Sequence, residues 1–197
     1  MRLLVSLCAA LLIANLAYAA EENDEPAENQ VYEMTAEQSD IVLTAPQLVG
    51  LPARHLRWLL PSGTLVDRTV MRDRATSFLV EYYSVDRNSR LVVLSEPPDL
   101  VIEKRRSLFP RDAEIVLGET GESNSKLTSF PWRRFRLVMP DGNGRDCIAF
   151  LRAFGPTTGA RGRNNTRRIA GFYCSDRTLS FEPAWIQALF DGINVKK

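Results

Sequence analysis

Two cysteines, Cys147 and Cys174, each close the outer end of an apolar run, and the stretch from Trp132 to Ile193 is organised around them. Upstream of the pair, Phe135, Leu137 and Met139 alternate with Arg134, Arg136 and Val138, the period of two expected of a strand with one buried face. Pro140-Asp141-Gly142-Asn143-Gly144 then predicts a turn, because proline fixes φ and glycine tolerates positive φ. Cys147-Ile148-Ala149-Phe150-Leu151 is apolar on both faces, which places that strand inside a sheet. A polar, glycine-bearing loop is expected from Gly155 to Arg168, and a third strand from Ile169 to Cys174. If the second and third strands pair antiparallel, Cys147 falls opposite Cys174. Two cysteines in that relation meet disulfide geometry, and closing the loop contributes about 3 kcal/mol in the chain-entropy picture. Two buried free thiols are the alternative.

Beyond the cysteines, the pattern predicts a closing helix. Ser180 suits its N-cap, Glu182 its dipole and Pro183 its first turn. Trp185, Ile186, Leu189, Phe190 and Ile193 recur at helical spacing, and Gly192 is a suitable stop. Such a stripe is expected to lie across the sheet as core.

The runs CIAFLRAFGP from Cys147, IAGFYCSD from Ile169 and LSFEPAWIQALFDGI from Leu179 resemble a C-terminal pattern in small exported proteins of Alphaproteobacteria with no assigned activity. The likeness covers about a third of the chain, and its fixed points are Cys147, Gly171, Tyr173, Cys174 and the helix. These are scaffold residues. The resemblance implies an envelope location and brings no catalytic residue with it.

The other end of the chain points to the same place. Residues 1–19 have a basic start at Arg2, an apolar run from Leu3 to Leu16 and Ala17-Tyr18-Ala19, the three parts of a secretory signal peptide with cleavage expected after Ala19. A membrane anchor would need about 20 apolar residues, and this run is shorter. Cys8 sits inside the apolar run, which argues against a lipoprotein and leaves two cysteines after cleavage. No later segment is apolar enough over its length to span a bilayer, so no transmembrane segment is expected after cleavage. A periplasmic or secreted location permits the disulfide.

Residues 20–40 form an acidic leader: Glu21, Glu22, Asp24, Glu25, Glu28, Glu33, Glu37 and Asp40 stand there with no Lys or Arg. So little apolar surface cannot offset the entropy of ordering, and a flexible segment is expected. A mobile arm covering a basic site is the functional alternative. Setting Arg2 and these acids aside leaves 24 basic and 16 acidic side chains in residues 41–197, an excess of eight. Near-neutral overall charge thus hides a basic body, and 20 of its cations are Arg.

That body suits one domain, with a division into subdomains conceivable near residues 123–128. Strands are expected at Ile41–Leu43, Thr64–Met71, Phe78–Tyr83, Val101-Ile102 and Ile115–Leu117, with a turn at Asp86-Arg87-Asn88-Ser89 leading into Leu91–Leu94. Leu48, Leu51, Leu56, Leu59 and Leu60 suggest short helical turns, and Glu119–Ser125 a loop. The fold class is α+β: mainly antiparallel sheet, a C-terminal helix packed on it, and one disulfide.

The chemistry is bounded by what the residues permit. His55 is the single histidine, and Ser62 or Ser77 with Asp67 or Asp73 would have to complete a triad around it; nothing marks either serine as a nucleophile. One histidine and two paired cysteines do not make a zinc site, and no phosphate or dinucleotide glycine motif is present. No cofactor and no metal are expected. Asp99/Glu103 and Asp112/Glu114 would serve glycoside hydrolysis only if a cleft brought them together. Arginine is more suggestive. Lys104-Arg105-Arg106, Arg133/Arg134/Arg136 and Arg161/Arg163/Arg167/Arg168 form three clusters, and the guanidinium fork suits phosphate and carboxylate. Arg161, Arg163, Arg167, Arg168, Arg133 and Arg134 are the candidate anion- or partner-binding residues. The expected function is a non-enzymatic envelope binding module for a protein partner, an anionic polymer or a lipid head group, with no nucleic acid. A periplasmic hydrolase is the alternative.

Overall fold

The computed structural model describes residues 31–85, 96–158, 164–177 and 181–196. The signal-like segment, the leader before residue 31, the expected turn at Asp86 with Leu91–Leu94, and Ser180, Arg161 and Arg163 lie outside the described residues. In chain order the elements are β1 (Tyr32–Met34), β2 (Ile41–Leu43), a 3-10 turn (Pro46–Leu48), β3 (Ala53–Leu59), β4 (Leu65–Arg72) and β5 (Thr76–Ser84). Then come α1 (Asp99–Lys104), a second 3-10 turn (Arg106–Leu108), β6 (Glu114–Asn124), β7 (Ser129–Val138), β8 (Gly144–Thr158), β9 (Asn164–Ser175), α2 (Pro183–Asp191) and β10 (Ile193–Val195). Eight strands make one sheet in the order β1-β3-β4-β5-β9-β8-β7-β6, every pair antiparallel. β2 and β10 form a separate two-stranded ribbon.

The central strands are apolar on both faces because both faces are covered. On one, Phe78, Val80, Phe150 and Ile169 meet Ile186, Leu189 and Phe190 of α2 and Ile41 and Ile193 of the ribbon. Phe130, Phe150 and Phe190 stand with ring centroids 4.9–5.7 Å apart, in edge and offset arrangements that favour such pairs. On the other face Leu79, Phe135, Ala149 and Phe172 meet Val101 and Ile102 of α1 and Phe109 behind it. β8 and β9 run side by side in the middle, and Cys147 pairs with Cys174 in the ladder with Cα atoms 4.1 Å apart, joined as a disulfide.

Several expectations from the sequence need correction. The leader does not extend to residue 40, since Tyr32–Met34 pairs with Met34 opposite His55. Ala53–Leu59 is a strand and not a helical turn. Leu56 and Trp58 alternate with His55 and Arg57 to pack beside Val66 and Tyr83, whereas Leu48 does close a short 3-10 turn. Val101-Ile102 belongs to α1, because two adjacent apolar residues carry no periodicity to separate helix from strand. β6 runs through the expected loop at Glu119–Ser125, with a bulge between Leu117 and Thr120. Its glycine lies beneath an aromatic ring: a Cβ on Gly121 would fall 2.1 Å from Trp132. The segment near residues 123–128 is the hairpin turn from β6 to β7 within the same sheet.

The loop expected from Gly155 to Arg168 is also mostly strand, because β8 and β9 stay paired out to Thr158 opposite Asn164. At the helix, Glu182 and not Ser180 is the N-cap, without a side-chain cap bond, and Pro183 opens the first turn. Ile193 leaves the helical stripe to start β10 opposite Leu43. Gly192 ends the helix for a steric reason, since a Cβ there would lie 2.2 Å from the Ala45 nitrogen. Among the described residues no helix is long and apolar enough to cross a membrane.

Candidate functional site

Alternation along β5 sends Leu79, Glu81 and Tyr83 to the α1 face. Glu81 is 1% exposed, and a carboxylate that deep requires counter-charges. β4 supplies one by register, since Arg68 stands directly opposite Glu81 and its Nη2 lies 2.5 Å from Oε1. Arg105, just past the last residue of α1, supplies the other: Nη2 donates to Glu81 Oε2 at 2.5 Å and Nε at 3.1 Å. The Tyr83 hydroxyl donates to the same Oε2 at 3.0 Å and accepts from Arg105 Nη2 at 2.8 Å. Burial by itself would raise the Glu81 pKa, but Arg105 and then Arg68 outweigh it and hold the carboxyl below its ordinary value. Glu81 is therefore an anchored carboxylate and no proton donor.

Beside this network a shallow cleft opens along α1. Leu100, Leu151 and Ala170 give it an apolar wall; Lys104, Arg105 and Arg168 give it positive charge. Arg168 stands opposite Tyr83 in the ladder, with its guanidinium 4.0 Å above the ring, and pairs with Glu96 at 3.4 Å. Lys104 is exposed and has no carboxylate partner among the described residues. Among the described residues, the cleft and its floor bring together Arg68, Lys104, Arg105 and Arg168 with the carboxylates of Glu81 and Glu96. Such an arrangement gives the cleft a local positive potential.

The arginine clusters do not act as clusters. Arg167 and Arg168 are neighbours in β9 and therefore point to opposite faces, and only Arg168 reaches the cleft. Arg133 lies 3.8 Å from Asp99 on the α1 face. Arg134 points the other way, paired with Glu119 at 2.7 Å, bonded to the Phe181 carbonyl and stacked near the rings of Trp132 and Phe181. Arg136 pairs with Asp146 at 3.1 Å. Lys104, Arg105 and Arg106 also part company. Arg106 spends its fork on the carbonyls of Pro110, Arg111 and Ala113, which closes the turn after α1.

The triad candidates are dispersed as well. His55 Nδ1 is 2.9 Å from the Thr69 hydroxyl. Asp67 is fully occupied by Arg57, at 2.5 and 2.6 Å, and by the Asp40 backbone N–H. Asp73 caps the β4–β5 turn through the N–H groups of Ala75 and Thr76. Ser62 bonds Thr64. Asp99 and Glu103 ride on α1, while Asp112 and Glu114 are exposed at the start of β6.

Glu81, Arg68 and Tyr83 were not singled out from the sequence, although a signal existed. Phe78-Leu79-Val80-Glu81-Tyr82-Tyr83 holds one carboxylate inside an apolar run, and such an acid is rarely buried unless paired. Compared with known proteins, the chain matches no family model, no curated protein and no solved structure.

Proposed function

We propose that the chain is an exported, non-enzymatic binding module of the cell envelope, which takes up an anionic group of an envelope component in the cleft beneath α1. The observation that carries this reading is Lys104, exposed on the lining of the cleft without a carboxylate partner among the described residues. Glu81 orients Arg105 and Arg68 while staying ionised, so the site is set up to hold charge and not to move a proton. Periplasmic or secreted residence is supported by the disulfide, by the signal-like N-terminus and by the C-terminal resemblance to exported proteins.

The experiment is capture of envelope extract on the mature chain at low and high salt, beside a Lys104→Glu variant. Lys104 is exposed, so the reversal should leave the fold intact. A component retained at low salt, released at high salt and lost by the variant is the expected result. Equal retention by the variant would remove the cleft from the function.

A further inference from the structure

On the sheet face opposite the cleft two cations, Arg152 and Arg167, have no ion-pair partner among the described residues. Arg152 on β8 stands opposite Ile169, and Phe154, two residues on, stands opposite Arg167. Alternation puts Arg152, Phe154 and Arg167 on the α2 side of the sheet, with the two arginines one step apart on the diagonal. Both are half-buried. Among the described residues neither has a carboxylate within ion-pair distance, and Arg152 Nε is buried with no hydrogen-bond partner. Among the described residues, acids on this side of the sheet are held by other arginines: Asp40 and Asp67 by Arg57, Glu119 by Arg134 and Asp146 by Arg136.

The surroundings place the two side chains. A bulge between Phe154 and Thr157 is made at Gly155, whose φ is +95°, and a Cβ there would come 3.3 Å from Arg167 Cγ, so the arginine stem lies over the glycine. Phe154 packs on the core and beside Tyr82, ring centroids 6.4 Å apart, which gives the pair an apolar flank. A buried N–H without an acceptor costs stability. Local violations of this kind are expected where a site serves something other than folding.

We propose that Arg152 and Arg167 form an oxyanion site for a phosphate group, one guanidinium on each side and Arg152 Nε–H among the donors. It is independent of the cleft, which shares no residue with it. Charge-assisted, two-pronged bonds from guanidinium to phosphate account for the choice of ligand. The chemistry at the two arginines is the same for a free phosphate and for one borne by a lipid head group.

The test uses the mature chain with labelled arginine, titrated with inorganic phosphate while the side-chain Nε–H resonances are followed. The Arg152 and Arg167 signals should move together and saturate. The double variant Arg152→Met/Arg167→Met should bind about tenfold more weakly or worse, and Arg72→Met, which removes an exposed cation outside both sites, should bind as the unaltered chain does. Without phosphate, Arg152→Met should melt at the same temperature as the unaltered chain or higher, because its stem is kept and its orphaned N–H is gone. Vesicles separate the sources: co-sedimentation with phosphatidylglycerol but not phosphatidylcholine assigns a lipid phosphate, and response to the free ion alone assigns a soluble one. Static Arg152 and Arg167 resonances at every phosphate concentration overturn the proposal, as does undiminished binding by the double variant. If the variants fail to fold, the titration of the unaltered chain still decides.

Discussion

Glu81 and Arg105 meet at 2.5 Å, one from the middle of β5 and the other from just beyond the end of α1, 24 residues apart in sequence. Because both groups are buried, the pair locks α1 to the sheet. Losing one partner of such a pair leaves an uncompensated buried charge, which costs about 3–5 kcal/mol. Glu81→Ala should lose stability in that range when urea unfolding is compared at neutral pH. A loss below about 1 kcal/mol would mean the pair barely outweighs its own desolvation.

The same carboxylate gives a pH dependence of known sign. Its folded pKa lies below the ordinary value, with burial opposing the shift and Arg105 and Arg68 producing it. The contribution is therefore complete above the unfolded value of about pH 4.3 and is lost as pH falls through the lower folded value. The unaltered chain should destabilise more steeply than Glu81→Gln on acidification below that point. Parallel curves would show that Glu81 does not titrate with unfolding.

Cys147 and Cys174 lie in adjacent central strands and close a loop between residues 27 apart. Opening it with Cys147→Ser should cost about 2–5 kcal/mol. Unfolding with and without reductant checks this, and coincident midpoints would show a bridge without influence on the fold.

Gly171 lies where β9 meets β5 and β8. A Cβ there would fall 2.2 Å from the Leu79 carbonyl oxygen and 2.7 Å from the Phe150 ring. Backbone cannot move aside as a side chain can, so Gly171→Ala should cost about 3 kcal/mol or more. At Gly63, with φ +81° and open space around it, the same change should cost about 1 kcal/mol through strain alone. Thermal melts of the two variants should differ accordingly; equal melts would mean that the sheet spreads at Gly171.

What could be read beforehand was local. The strand at Phe135, its turn at Pro140–Gly144, the strand from Cys147, the cysteine pairing and the closing helix stand where their residues placed them, because period, turn chemistry and burial agree along that stretch. Elsewhere the cues were ambiguous. Val101-Ile102 was too short to show a period, and Gly118 and Gly121 resembled loop residues although one of them seats Trp132.

The candidate sites were legible only as an abundance of arginine. Period-two alternation alone already separates Arg167 from Arg168, yet adjacency in the chain suggested a cluster. Which arginine meets which acid depends on register and on elements far apart in sequence: Arg68 and Arg105 converge on Glu81, Arg134 reaches Glu119, and Arg152 comes beside Arg167. The sequence by itself determined the strands around the two cysteines, the bridge and the basic surplus, since these follow from near neighbours and composition. Only the tertiary structure decided which charges meet a partner of opposite sign, because a side chain's partner is set by how the strands are ordered and how they face.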